Sequence, residues 1–320
     1  MTARRILGLG TGLTLTWLAL QAQVAVQPRP KQAANEPPAP KANLRIDTDL
    51  VLVPVAVSDP RNRPVTGLER EHFKLFDDKI EQKVTHFSMD DEPVAVGMVF
   101  DISGSMGPKL RMARHAAAEF FRTSNNDDEF FLVTFSDQVK LAVGLTHDVQ
   151  EILNQLTFAQ SKGRTALLDA VMMSMHEMKR SRKKRKALLV ISDGGDNSSR
   201  YSELEVRNMV RENDVLIYAI GVYEQGGGRG RTAEEAAGPG LLGDMAEQTG
   251  GRHFPAEASE LPDIAAKIGV ELRNRYVLGY SPTDKQRDGR YHRVEVKIIA
   301  PRSMPKLTPH WRTGYYAPTD

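Results

Sequence analysis

Five oxygen-bearing side chains occur in three short segments: Asp101, Ser103 and Ser105 in "VFDISGSMGPK", Thr165 in "SKGRTALLDA", and Asp193 in "VISDGGDN". The first and third segments each end a continuous apolar run, which places an aspartate at the end of a buried strand. Taken singly, each has a capping explanation: Ser105 or Thr165 as an N-cap, Asp193 beside a helix N-terminus. Taken together they are two carboxylates and three hydroxyls, with no nitrogen or sulfur. That donor set suits a hard cation of the Mg2+ type, with Mn2+ and Ca2+ as alternatives. Two carboxylates balance a dication, and neutral hydroxyls fill positions without quenching it. The ion would keep its affinity for one more anionic oxygen from outside.

The residues around these segments must bring them to one place. From Pro93 onward, apolar runs alternate with amphipathic stretches. "VAVGMVF", "KALLVISD" and "VLIYAIGV" read as buried strands, and "EFFLVTFSD" with "VKLAVGLTHD" as a strand pair. "GGRHF" is a short strand. The helices are "KLRMARHAAAEFFRTS", with Leu110, Ala113, Ala117, Phe120 and Phe121 on one face, then "VQEILNQLTF", "ALLDAVMMSMHEMKR", "SELEVRNMVREN", "LLGDMAEQTG" and "LPDIAAKIGVELRN". This alternation predicts an α/β domain over 93–273, doubly wound around a mostly parallel sheet with helices on both faces. Ligands of such sheets bind at the carboxyl ends of the strands, where the three segments lie.

The flanks read differently. Residues 44–92 contain short strands and turns, with Asp77, Asp78 and Lys79 as a hairpin turn and "KIEQKVTHFSM" as one strand after it. Residues 274–320 return to strands in "RYVLGYSP", "YHRVEVKIIA" and "WRTGYYAP". Neither part alone is large enough for a comfortable core. The expectation is one small β-sandwich-like domain built from both ends, with the α/β domain inserted. Residues 1–25 carry Arg4 and Arg5 before an uncharged apolar run, a signal peptide or, alternatively, a membrane anchor. The Pro-rich stretch 26–43 reads as a tether. Export to the periplasm, cell surface or medium follows, with membrane association through the N-terminal segment if it is retained.

The pattern D-x-S-x-S after the first strand, Thr165 in "GRTALLDA" and Asp193 in "ISDGGDN" resembles a von Willebrand factor type A domain with its metal-ion-dependent adhesion site. That family has a Rossmann-like fold, and the resemblance covers about residues 93–272. It implies that Asp101, Ser103, Ser105, Thr165 and Asp193 hold Mg2+, and that a protein partner supplies an Asp or Glu carboxylate. The flanking β segments are similar to bacterial exported proteins of the same kind, best known from Acidobacteria.

Composition narrows the alternatives. There are 43 basic and 41 acidic residues, a formal charge of +2, so nothing global points to nucleic acid. The absence of cysteine removes disulfides and thiolate chemistry. A Mg2+-dependent hydrolase using Asp101 as nucleophile is the competing reading. It would need an acid two residues on, where Ser103 stands, and no Lys or His is read in the three segments to replace it. The chain is therefore expected not to be an enzyme, and a structural envelope scaffold is the third reading. The run "KRSRKKRK", Lys179 to Lys186, reads as a solvated loop, and Glu224 to Gly240 as a glycine-rich connector. Trp311, Tyr315 and Tyr316 are expected to pack in the small β domain.

Overall fold

Val51–Ser58 (β1) starts the small β domain, followed by Phe73–Asp77 (β2), Ile80–Gln82 (β3) and His86–Asp90 (β4). The computed structural model describes residues 50–90, 92–223, 233–283, 288–301 and 304–319. The expected signal segment 1–25, the linker 26–43, residues 224–232 of the glycine-rich connector and residues 284–287 lie outside them. Among the described residues, no helix is long and apolar enough to cross a membrane.

The α/β domain opens with Val94–Asp101 (β5), every residue of which is buried. Val94, Val96, Met98 and Phe100 face one core, while Ala95 and Val99 face the other. Two-sided burial is why the run is continuous in apolar residues and does not alternate. Gly97 is required here, because a Cβ would sit 2.1 Å from the Phe131 ring. Next come Leu110–Phe121 (α1), Glu129–Phe135 (β6), Val139–Thr146 (β7), Val149–Phe158 (α2), Leu167–Met178 (α3) and Arg185–Ser192 (β8). Glu203–Glu212 (α4), Leu216–Val222 (β9), Ala233–Thr249 (α5), His253–Ala256 (β10) and Leu261–Arg273 (α6) complete it. The sheet order is β10-β9-β8-β5-β6-β7, parallel except for β6 against β7. Side chains of α1, α2 and α6 fill one core and those of α3, α4 and α5 the other. The domain is thus the doubly wound α/β fold that the alternation predicts. All five residues named for the face of α1 are buried.

Strand order reverses between β5 and β8: the chain runs outward through β6 and β7, then crosses to β8, β9 and β10. The crevice at the carboxyl ends of β5 and β8 is therefore the switch point of the sheet.

The chain returns through Arg275–Tyr280 (β11), Tyr291–Ile298 (β12), Thr308–Trp311 (β13) and Gly314–Tyr316 (β14). Two four-stranded sheets form, β13-β1-β11-β4 and β14-β12-β2-β3, around one core containing Val55, Leu75, Tyr276, Leu278 and Val296. Both chain ends contribute strands to each sheet. Asp78 and Lys79 have φ of 45° and 71°, the double positive φ of a tight hairpin turn.

Several local expectations are corrected. "KIEQKVTHFSM" is two strands in different sheets, broken at Lys83–Thr85, where Thr85 donates its N–H to Gly279 O. "WRTGYYAP" likewise splits into β13 and β14. Trp311 and Tyr315 pack in the small core as expected, whereas Tyr316 is exposed. Helix α5 begins at Ala233, inside the stretch read as a connector to Gly240. In the basic run, Arg185 and Lys186 already belong to β8, and Ser181 is buried with its hydroxyl on Glu129 Oε2 at 2.6 Å.

At the junction of the two domains His310 meets Ser58 Oγ at 3.1 Å. Burial, then the charges of Arg252 and Arg275, push its pKa down to about 4. The unfolded chain, with a histidine near 6.5, binds a proton that the folded chain refuses between about pH 6.5 and 4. Stability is therefore present above that window and lost as pH falls through it. Allowing for partial exposure, the loss is about 1–2 kcal/mol. From pH 7 to 4 the parent should lose about 1–2 kcal/mol more stability than His310→Asn in melting curves; an equal slope in both would remove His310 from the account.

Candidate metal centre

Asp101 is the last residue of β5 and is fully buried. Its Oδ1 accepts the Ser103 N–H at 2.8 Å, and its Oδ2 accepts the Ser192 hydroxyl at 2.5 Å. Burial, followed by the negative charge of Asp193, pushes its pKa up to about 7. Hydrogen bonds from Ser103 and Ser192 favour the carboxylate but are outweighed. Asp193 follows β8, directly beside β5 across the switch point. Its Oδ2 accepts from Lys109 Nζ at 3.3 Å, while its buried Oδ1 has no hydrogen-bond partner.

Ser103 and Ser105 sit at the start of a 3-10 turn over Gly104–Lys109 that leads into α1, and their hydroxyls are 3.1 Å apart. The capping alternative does not describe them. Neither the 3-10 turn nor α1 has a side-chain cap, and α3 has Ala166 at its N-cap. The α3 amide of Leu168 is instead satisfied by Asp196, from the loop after β8, at 2.8 Å. The hydroxyls of Ser103, Ser105 and Thr165 are thus not committed to helix ends.

Thr165 is tied to the other loops through its main chain. Its N–H donates to Asn197 Oδ1 at 2.9 Å, and its carbonyl accepts from the N–H groups of Asn197 and Ser198. The same loop is pinned to the Ser103 turn where Gly104 N–H donates to Gly163 O at 3.0 Å and Lys162 N–H to Ile102 O at 2.9 Å. Gly194, next to Asp193, has a φ of +83° and lies so close to Gly238 of α5 that a Cβ on Gly238 would fall 2.4 Å from its carbonyl carbon. This backbone contact accounts for glycine at both positions, one of them inside α5 in a segment that composition marks as a loop.

Ser192, Lys109 and Asn197 are the participants that sequence reasoning missed. Ser192 immediately precedes Asp193, but nothing local shows that its hydroxyl is spent on Asp101, 91 positions away. Two lysines in fact lie in the segments, Lys109 in the first and Lys162 in the second, and of these Lys109 reaches a site carboxylate. Its ammonium is buried against Asp193 and serves as a counter-charge.

Chemically the cluster is two buried carboxylates, one ammonium, the paired hydroxyls of Ser103 and Ser105, and an orphaned carboxylate oxygen. The like-charge pair and the orphaned oxygen are the defects that an oxygen-preferring dication would relieve. The residues fit such an ion.

The family model described as von Willebrand factor type A domain matches residues 96–195, which contain all five of these side chains. A comparison with curated proteins finds no match. Among solved structures, the chain is similar to BatB from Bacteroides thetaiotaomicron, at 19% identity and TM-score 0.44, covering 56% of this chain and 98% of that one. It is also similar to the vWF domain of the type V pili tip protein Mfa5 from Porphyromonas gingivalis, at 13% identity and TM-score 0.47, covering 57% and 97%. Proximal thread matrix protein 1 from the mussel byssus aligns at 18% identity and TM-score 0.49, covering 62% and 51%.

Proposed function

We propose that this chain, which carries a von Willebrand factor type A domain, is an exported, metal-dependent protein-binding module. Mg2+ would be held by Asp101, Ser103, Ser105, Thr165 and Asp193, and an Asp or Glu of a protein partner would complete its coordination. The observation that carries this reading is the pair of buried carboxylates at the switch point, Asp101 beside Asp193, with Asp193 Oδ1 unspent. When bound, the metal supplies an electrophilic point for an outside carboxylate.

The chain's own residues prepare that point. Ser192 and the Ser103 amide orient Asp101, Lys109 holds one oxygen of Asp193, and Asn197 fixes the Thr165 loop. Lys109 is paired with a carboxylate and so is poorly placed as a general acid, which weighs against the hydrolase reading. A groove lined by Val139, Asp169, Met172, Arg200 and Tyr201, next to Ser198 whose N–H binds Thr165 O, offers a partner apolar and charged contacts.

Immobilised full-length chain should retain specific envelope proteins in Mg2+ and release them in EDTA. Thr165→Val should retain little in either buffer. Retention that ignores EDTA would overturn the metal-dependent reading.

A further inference from the structure

The hairpin turn between β2 and β3 brings together a second group of side chains, far from the strand-end cluster in sequence and different in donor type. Asp78 binds across to β12 twice: its N–H donates to Arg293 O at 2.9 Å and its Oδ1 accepts the Arg293 N–H at 2.9 Å. Asp77 Oδ2 accepts the hydroxyls of Tyr280 at 2.9 Å and Tyr315 at 3.0 Å. Each carboxylate therefore has one oxygen tied down. The other two oxygens point to His292, whose Nδ1 is 3.0 Å from Asp78 Oδ2 and 3.6 Å from Asp77 Oδ1. All three ligand atoms lie within 4.8 Å of one another. Asp77 is only 5% exposed, and its Oδ1 is buried with no hydrogen-bond partner. The His292 ring lies parallel to Tyr315, with centroids 5.4 Å apart, which limits its rotation.

We propose that Asp77 Oδ1, Asp78 Oδ2 and His292 Nδ1 form a second metal site, for a borderline divalent cation of the Zn2+ type. One imidazole and two carboxylates suit Zn2+ better than Mg2+, which prefers an all-oxygen shell. Two carboxylates neutralise the ion, and three protein ligands leave a position for water or an outside group. Tyr280 and Tyr315 act from behind, fixing the Asp77 carboxylate so that Oδ1 faces the imidazole. The bound ion would clasp the β2–β3 turn to β12. The competing description is a protonated His292 paired with both carboxylates, which needs no metal.

Calorimetric titration of the full-length chain with Zn2+ in excess Mg2+ separates the two. The parent should take up one Zn2+ per chain, and binding should weaken by roughly 30-fold or more in both His292→Gln and Asp78→Asn. Asn at 78 tolerates the positive φ and keeps the acceptor for Arg293, so it preserves the turn even where His292→Gln unfolds. Zn2+ should also raise the melting temperature of the parent by several degrees and leave that of Asp78→Asn unmoved. No Zn2+ uptake by the parent, uptake abolished by the excess Mg2+, or equal affinity in a folded Asp78→Asn would each overturn the site.

Discussion

Asp101→Asn is expected to weaken Mg2+ binding by roughly 100-fold or more, close to 3 kcal/mol, while the metal-free chain melts no lower than the parent. The asymmetry follows from what Asp101 does in each state. With a dication present, its carboxylate is half of the charge that balances the ion. Without one, it is a fully buried carboxyl beside a second carboxylate, its ionisation disfavoured by burial and by Asp193. Asparagine keeps the shape and can still accept the Ser103 N–H, so removal of the charge relieves repulsion without opening a cavity. Calorimetry with Mg2+ and thermal melts in EDTA check the two halves separately. Binding within a few-fold of the parent would remove Asp101 from the metal centre. A steep fall in metal-free stability would show that its role is structural.

The second large effect is expected far from that edge of the sheet. Arg275 is 1% exposed, at the point where α6 passes into β11. Its guanidinium donates to the Tyr218 hydroxyl at 2.9 Å, Gly250 O at 3.0 Å and Pro54 O at 3.1 Å, joining β9, the loop before β10 and β1. Tyr218 in turn donates to Glu271 at 2.8 Å, and Glu271 pairs with Arg252 at 2.5 Å. Removing the Arg275 guanidinium leaves the Tyr218 hydroxyl, Gly250 O and Pro54 O each short of a donor at a buried place, while Glu271 keeps its ion pair with Arg252. Arg275→Met should therefore cost about 3–5 kcal/mol, a melting temperature lower by roughly 10 °C. A double-mutant cycle with Glu271→Gln should show strong coupling through the shared Tyr218. Additive losses, or a loss within the range of an ordinary surface change, would show that the network does not act as a unit.

The parallel sheet was legible because β5, β8 and β9 are buried on both faces, and such strands are apolar without alternation. The placement of three oxygen-bearing segments on one edge then follows from topology, since two of them end neighbouring strands. The corners of the small domain were not legible. Around Val84 the buried positions shift phase, from Gln82 and Val84 to half-buried Phe87 with Thr85 and His86 exposed between them, and a short run of mixed residues does not show whether such a shift is a bulge or a change of sheet. Nor could the sequence show which polar groups are spent on each other. Lys109 and Asp193 are 84 positions apart, and a lysine before an apolar helix reads as a solvent-facing start. The α5 boundary was missed for a related reason: Gly238 lies in the helix at a close backbone approach to Gly194, a tertiary contact that composition does not display.

The position of β1 has a mechanical consequence. It lies between β11 and β13, antiparallel to both, with ladders running from Val51 to Val55 on one side and from Val55 to Ser58 on the other. A tensile load applied along the chain ahead of Val51 would act parallel to these ladders. Their hydrogen bonds would share the load in shear and would not peel apart one at a time. Strand β11 continues directly from α6, so the same ladder delivers the load into the α/β body with almost no slack between them. A partner gripped at the strand-end cluster would then be held in series with the strongest mechanical geometry of the small domain, and detachment at the cluster should precede extraction of β1.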